Sequence, residues 1–260
     1  MLKEIYTAAM GMLPQQTKLE VTANNIANAN TTGFKREAVF ERNLLEAKQN
    51  LNNVPGDVEQ DDAPLGTYVD FSKGSFNQTD NPLDLAIENQ NGFFVLQDEA
   101  GNSFYSKAGH FKLSTDGTIQ AMDGKSLMGL SGDLSVSGGF TKSESGVNNS
   151  KELNLRIAEN GDVFLNDTNI GTVQVAGIDN PESLKKVSDN AFEAREDTIV
   201  NVIPQEEVAL RQGWLENSNV DVIKEMVSMI ELQRAFEAGS KVIQANNETL
   251  DKTITIGRYY

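Results

Sequence analysis

The longest regular pattern in the chain is a column of apolar residues near its C-terminal end. Counting from Val222, every seventh residue is apolar, which is the spacing of one line of a coiled-coil seam. The column consists of Val222, Met229, Phe236, Ile243 and Leu250. The positions four residues after each of these are Met226, Gln233, Ser240, Asn247 and Ile254, so polar groups fall in the middle of the seam. The pattern predicts one helix over residues 219 to 254, about 50 Å long, that needs a partner.

The N-terminal end supplies a partner with the same alternation of three and four residues. Its seam consists of Leu2, Ile5, Ala9, Met12, Gln16, Leu19, Ala23 and Ile26. We expect a kink at Pro14, which has no N–H to donate to the preceding turn. The two ends of the chain are therefore predicted to form one helical layer. In that layer Gln16, Gln233, Ser240 and Asn247 are expected to fix the register, as a buried amide does in coiled coils.

The apolar stripe on the C-terminal helix is wider than one partner helix covers. Five further apolar residues accompany the column, namely Ile223, Val227, Ile230, Ala235 and Val242. A stripe of this width is typical of a helix that packs against more than one neighbour. The excess width predicts a surface for another subunit.

The middle of the chain reads as a linker followed by antiparallel β-structure. Residues 51–64 interrupt regular structure with Pro, Gly and acidic residues, and residues 37–67 are predicted to be a linker or extended loop. Residues 68–212 contain short apolar runs, of which 93–96 is the most apolar, separated by turn residues. Hairpin turns are predicted at Asn91-Gly92, Asp116-Gly117, Asp123-Gly124 and Asn160-Gly161, and a flexible loop at 131–150.

The sequence thus predicts an α+β fold in three parts. Residues 1–36 and 213–260 form a discontinuous helical domain for assembly. Residues 37–67 connect it to a central, mostly antiparallel β-domain at residues 68–212.

Composition excludes several classes of function. The net charge of −16 and the pI near 4.5 argue against binding to nucleic acid, which needs a basic surface. No apolar segment is long enough to span a bilayer, and the first residues lack the apolar core of a signal peptide. The sequence contains no cysteine, which excludes disulfides, thiolate metal sites and cysteine nucleophiles.

Catalytic and metal-binding patterns are also missing from the sequence. His110 is the only histidine, with no nearby serine or carboxylate pattern of a triad, so we interpret it as a surface or strand-edge residue. The acidic run at residues 59–62 lacks the ligand spacing of a calcium loop, and residues 11–18 lack the second Gly of a phosphate-binding loop. We therefore expect no catalytic residue, metal, cofactor or small-molecule substrate.

Three stretches resemble the axial proteins that build the rod and hook of the bacterial flagellum. They are NNIANANTTGFKR at 24–36, DNPLDLAI at 80–87 followed by GFFVL at 92–96, and 213–222 with 225–244. Gly239, where the family more usually carries Asn, and the ENQNGFF turn at 88–94 depart from the family pattern. The motif residues are Asn24, Asn25, Asn28, Asn30, Gly33, Phe34, Asp80, Pro82, Leu83 and Asp84.

This resemblance implies a structural, non-catalytic subunit that polymerises through its terminal helices into a helical tube. Its partners would be further copies and other rod and hook proteins, with no nucleic acid or membrane insertion. The family is exported through the type III apparatus without a cleaved signal peptide and assembles in the periplasm. The NPLD motif and the short segment between Phe40 and Tyr68 favour the proximal-rod member over the distal-rod member.

Two alternatives from other classes remain open at the level of sequence. One is a secreted binding module, in which the β-domain recognises a peptide or glycan and the helices form a closed dimer. The other is a hydrolase, which requires two facing carboxylates that no spacing in the sequence supports.

Overall fold

The computed structural model describes residues 2–41, 65–136, 155–166, 168–195 and 198–257. Contacts divide the chain into two compact units. The first comprises residues 1–29, 36–70 and 220–260, and the second comprises residues 30–35 and 71–219. Residues 36–70, most of which were predicted as a linker, are grouped with the helices. Residues 30–35 and 213–219 are grouped with the β-structure.

The first unit is a pair of helices with a small β-ladder. Helix α1 spans Leu2–Ala27 and continues through Pro14, and helix α2 spans Val222–Gly257 and packs along α1. Asp221 begins α2, since its carboxylate accepts the N–H groups of Ile223 at 3.1 Å and Lys224 at 3.2 Å. Strands β1 (Glu37–Glu41) and β2 (Leu65–Val69) form an antiparallel ladder from the two ends of the predicted linker.

The second unit is built from short strands. In chain order they are β3 (Phe76–Gln78), β4 (Leu85–Ile87), β5 (Gly92–Gln97), β6 (Ser103–Ser106), β7 (Phe111–Leu113), β8 (Ile119–Ala121), β9 (Ser126–Gly129), β10 (Gly132–Asp133), β11 (Leu155–Ile157), β12 (Asp162–Leu165), β13 (Thr168–Thr172), β14 (Val175–Ile178), β15 (Lys185–Lys186), β16 (Phe192–Glu193), β17 (Val200–Val202), β18 (Leu210–Gln212) and β19 (Trp214–Glu216). A 3-10 helix spans Pro181–Ser183.

These strands pair in an antiparallel manner, which confirms the predicted α+β class. Within the described residues, a ten-stranded sheet runs in the order β15-β16-β6-β5-β9-β8-β7, with β10 beside β9, β14 beside β5 and β17 beside β14. Strands β11, β12 and β13 form a second sheet, and β4 pairs with β18 and β3 with β19. The last two pairs join strands that lie far apart in the sequence.

The core of the second unit is centred on β5, which pairs with β6, β9 and β14. Residues 93–96 of this strand are all buried, as the apolar run predicted. Phe94 contacts the ring of Phe111 edge-on, with 5.1 Å between the ring centroids. Leu96, Ile119 and Leu127 belong to the same buried cluster.

Three of the four predicted hairpin turns are confirmed. Gly117, Gly124 and Gly161 each have a positive φ and lie between paired strands. The prediction at Asn91-Gly92 is wrong, because β4 pairs with β18 rather than with β5. The partner of β4 is supplied by a segment more than a hundred residues away, which a local turn pattern cannot indicate. Of the predicted loop at 131–150, residues 137–150 lie outside the described residues, as do residues 42–64 with the acidic run.

Candidate assembly interface

The contact between α1 and α2 uses part of the predicted seam. Met229, Phe236 and Ile243 of α2 are half-buried, as are Met12, Leu19 and Ile26 of α1. Gly239 allows the two helices to come close at this contact. A Cβ atom placed on Gly239 would lie 3.0 Å from Met12 Cγ and 3.3 Å from its Sδ.

The polar residues predicted to fix the register are mostly not enclosed between these helices. Gln233 and Asn247 are exposed, Ser240 is half-buried, and Gln16 is exposed and donates to Glu20 Oε1 at 3.0 Å. The positions three residues after Met229, Phe236 and Ile243 are all half-buried, namely Leu232, Gly239 and Asn246, whereas of the positions four residues after them only Ser240 is half-buried. A role of the polar set in register between subunits therefore stays a prediction.

The start of α2 exposes large apolar side chains. Val222 and Met226, two of the predicted seam residues, are exposed. Ile223, Val227 and Ile230, from the additional width of the stripe, are also exposed. The side chains of Leu2, Ile5, Leu250 and Ile254 lie outside the described residues.

In the first unit, one motif residue joins three elements. Asn25, buried near the end of α1, donates through Nδ2 to the Glu37 carbonyl at 2.8 Å and accepts the Glu37 N–H at 2.9 Å. Its Nδ2 also lies 3.4 Å from Glu225 Oε2 in the first turn of α2. Arg36 Nε donates to the other oxygen of the same carboxylate at 2.6 Å. A buried Asn and a buried Glu thus connect α1, β1 and α2.

The other asparagines of the first motif have different surroundings. Asn28 donates to the Asn24 carbonyl at the end of α1 twice, through its backbone N–H at 3.1 Å and through Nδ2 at 3.2 Å. Asn24 is half-buried and Asn30 is exposed. Clustered amides therefore mark the end of the helix, as expected, while Asn25 serves contacts within the subunit.

In the second unit, the TTGFK end of the motif packs closely against the β-structure. Gly33 has φ +70° and its N–H donates to the Glu216 carbonyl at 2.7 Å. A Cβ atom at Gly33 would lie 2.4 Å from both N and Cα of Ala108. Phe34 is fully buried. The buried Lys35 Nζ donates to Glu216 Oε1 at 2.7 Å and to the Ser72 carbonyl at 2.8 Å.

A second buried lysine shares these surroundings and was not found by sequence reasoning. Lys107 Nζ donates to the carbonyl oxygens of Gln90 at 2.8 Å and Asn89 at 3.1 Å, and it lies 4.8 Å from the Phe93 ring centroid. The pKa of Lys107 is lowered to about 7, mainly by burial; the Glu216 carboxylate opposes this shift, and the charges of Lys35 and Lys73 add to it. The Glu216 carboxylate is therefore the negative charge that two buried amines share, those of Lys35 and Lys107.

We expect the stability of the second unit to rise with pH between about 7 and 10.5. The pKa of Lys107 is about 7 in the fold, against a value of 10.5 for an ordinary lysine, so the unfolded chain holds more protons in this window. The free energy of unfolding should increase by up to about 1.4 kcal/mol per pH unit. Lys107→Met should remove this slope.

The measurement is denaturant unfolding at pH 7 and pH 9, followed by the fluorescence of Trp214. This residue is the only tryptophan of the chain and lies in β19 of the second unit. The matched control is Lys112→Met, because Lys112 is exposed and should leave the slope unchanged. An equal slope in the wild type and in Lys107→Met would contradict the prediction.

The NPLD motif forms a third buried polar cluster. The Asp84 carboxylate accepts the Thr79 hydroxyl at 2.6 Å and Asn81 Nδ2 at 3.0 Å, and it lies 2.6 Å from His110 Nδ1. The sequence did not indicate the contact between Asp84 and His110, because a β-bridge joins the two residues across 26 positions of sequence. The Thr79 hydroxyl donates to Asp84 rather than to the histidine, so these three residues are not arranged as a triad.

The rest of this motif lies in the turn before β4. Asp80 adopts φ +58° and accepts from Gln78 Nε2 at 2.7 Å. The Pro82 carbonyl accepts from Gln212 Nε2 at 2.9 Å, and Leu83 packs against the buried cluster. The motif therefore holds the turn that places β4 beside β18.

In the part of the chain that the structure describes, no helix is long and apolar enough to cross a membrane. Over the same residues, no group of three or more His, Cys, Asp or Glu side chains is placed to hold a metal ion.

Comparison with known proteins gives three family matches along the chain. Residues 5–35 match the family of flagella basal body rod proteins. Residues 86–165 match the D1 domain of the flagellar hook proteins FlgE/F/G, and residues 211–256 match the C-terminal part of the flagellar basal body rod FlgEFG proteins. These matches overlap the three stretches that carry the sequence motifs, and the second match begins just after Asp84.

Full-length relatives agree with these matches. The flagellar basal-body rod protein FlgG of Agrobacterium fabrum is 32% identical, over 95% of this chain and 96% of the relative. FlgG of Borreliella burgdorferi is 30% identical, over 96% and 97%. The FlgF rod protein of Buchnera aphidicola subsp. Schizaphis graminum is 29% identical, over 94% and 93%. The chain therefore belongs to the flagellar rod and hook family and is a structural subunit of the rod in the flagellar basal body.

Proposed function

We propose that this subunit assembles into a helical, tubular axial structure through its terminal helices, without catalytic activity. The observation that carries the proposal is the pairing of α1 with α2, combined with large apolar side chains of α2 that remain exposed. A soluble domain normally covers such side chains, and a contiguous set of them indicates an interaction surface. Head-to-tail contacts that do not close generate an open helical filament.

The partners in this proposal are further copies of the chain and other rod and hook proteins. The subunit reaches the periplasm through the type III export apparatus and without a cleaved signal peptide. Membership of the rod and hook family supports both statements. Its place along the rod stays a prediction, for which the sequence favours the proximal member.

The test of the proposal is the variant Phe236→Asp. Phe236 is half-buried on α2, and burial of such a side chain contributes about 1.5–3 kcal/mol, which corresponds to about tenfold or more in affinity. Incorporation into basal bodies should fall at least tenfold, and motility should be lost. The measurement is quantitative immunoblotting of isolated basal bodies, together with motility in soft agar.

The matched control for Phe236→Asp is Gln244→Asp, an acidic substitution at an exposed position of the same helix. It should leave incorporation unchanged. Trp214 fluorescence should show a folded β-structure in both variants. Normal incorporation and motility of Phe236→Asp would remove the proposed role of the helix seam.

A further inference from the structure

The first turns of α2 expose a compact apolar patch. It consists of Ile223, Met226, Val227 and Ile230, whose exposed fractions are 76%, 53%, 51% and 50%. The spacing of three and four residues places Ile223, Val227 and Ile230 on one side of the helix. Arg234 follows one turn later on the same side and is exposed. We call these four apolar residues the α2 patch.

The first unit also has a cleft, formed between α1, β1 and α2. Its volume is about 450 Å³, within the range of about 300–1,000 Å³ in which proteins bind ligands. Its apolar lining includes Val21 of α1, Ala38 and Val39 of β1, and Leu232 and Ala235 of α2. We call it the helix–strand cleft.

The patch and the cleft lie on different sides of α2. Leu232 and the buried Glu225 line the cleft and share the half-buried side of the helix. The helical repeat turns Ile223, Val227 and Ile230 to the exposed side. One copy of the chain therefore offers both surfaces at the same time.

Charge favours a second copy as the occupant of the cleft. Helix α1 carries two basic and two acidic residues, and α2 carries four basic and five acidic residues. The helices thus hold only one of the sixteen net negative charges, so a contact formed mainly by α1 and α2 brings little net charge together.

The local charges of the two surfaces are also complementary. The carboxylates at the cleft are Glu37, Glu225 and Glu231, and they outnumber its cations, Lys18 and Arg36. On the other surface, the exposed charged residues that follow the patch along the same side of α2 are Arg234, Glu237 and Lys241, so cations outnumber carboxylates there. The negative charge of the cleft would therefore attract the cation beside the apolar patch.

We propose that the α2 patch of one subunit inserts into the helix–strand cleft of the next copy. This inference rests on the proposed function and names the surfaces through which copies join. The contact is heterologous, because patch meets cleft, so it propagates from copy to copy instead of closing into a dimer. The seam residues then hold α1 against α2 and so fix the position of both surfaces, and the excess width of the stripe contacts the neighbour.

The absence of cysteine allows a direct test in the assembled rod. The variant Ile230→Cys/Ala38→Cys carries one thiol in the patch and one in the cleft. Treatment of isolated basal bodies with a short thiol crosslinker should give a ladder of dimers, trimers and larger species. Each single variant should give only monomers, because neither surface contacts itself.

Three results would overturn the inference. First, the double variant is incorporated but gives only monomers. Second, Ile230→Cys alone gives dimers. Third, the double variant crosslinks only to a different rod protein. If the unaltered chain is absent from basal bodies, the proposed function itself fails, which is a different result.

A second pair of variants keeps the inference testable if the double variant is not incorporated. Ala235→Trp should fill the cleft and lower incorporation at least tenfold. Ala245→Trp makes the same change at an exposed position of α2 that does not line the cleft, and it should be incorporated normally. Equal incorporation of the two variants would overturn the inference.

Discussion

Gly33→Ala is expected to destabilise the second unit by more than about 4 kcal/mol, a loss seen only for severe backbone or packing defects. Two costs add at this position. An alanine at φ +70° is strained by about 1–2 kcal/mol. Its Cβ would also lie 2.4 Å from backbone atoms of Ala108, which cannot move aside as a flexible side chain can. The measurement is denaturant unfolding followed by Trp214 fluorescence.

Gly124→Ala separates these two costs. Gly124 has φ +91°, and a Cβ atom there would meet no atom within 4 Å. The stability of this control should therefore fall only by the cost of the strain, about 1–2 kcal/mol. If both variants lose the same stability, the close approach of Gly33 to Ala108 has no energetic consequence, and the prediction fails.

Glu216→Ala is expected to cost about 3–5 kcal/mol, because it leaves buried cations without their carboxylate. Lys35 Nζ would lose its ion pair and the Gly74 N–H would lose its acceptor, which now lies at 2.9 Å. Glu216 also raises the pKa of Lys107, so the substitution should lower that pKa further below its usual range. The window in which stability rises with pH should then extend to lower pH.

The same unfolding measurement tests this prediction at several pH values. Glu206→Ala is the control, since Glu206 is exposed and its removal should change stability by about 0.5 kcal/mol or less. Adding Lys35→Met to Glu216→Ala should recover part of the loss, because it removes one unpaired buried charge. A loss below about 1 kcal/mol in Glu216→Ala would show that these charges are adequately solvated.

The agreement between sequence and structure is best where the pattern is local. The buried run at 93–96 is a central strand, and the three Asp-Gly and Asn-Gly turns at 117, 124 and 161 have the positive φ that they require. The buried strand and the turns are each decided by a few adjacent residues. The Asn91-Gly92 turn failed for the opposite reason, since the pairing of β4 with β18 is decided by a distant segment.

The candidate assembly interface, too, was predicted correctly only where the sequence pattern is local. Repeating apolar residues predicted both helices, and the motif predicted the end of α1. The sequence did not indicate which line of the helix seam would be enclosed, because positions three and four residues after the column lie on the same side of a helix. In the structure Leu232 is half-buried and Gln233 is exposed.

The sequence by itself determined the α+β class, the two terminal helices, the strand-rich middle and the family, because periodicity, turn residues and motifs are local properties of the chain. Tertiary structure alone decided the buried partners of the motifs. Lys35 meets Glu216, and Asp84 meets His110, across 181 and 26 positions. The tertiary structure also divided the apolar stripe of α2 into a half-buried seam and an exposed patch, because only the position of α1 decides which side of that helix is covered.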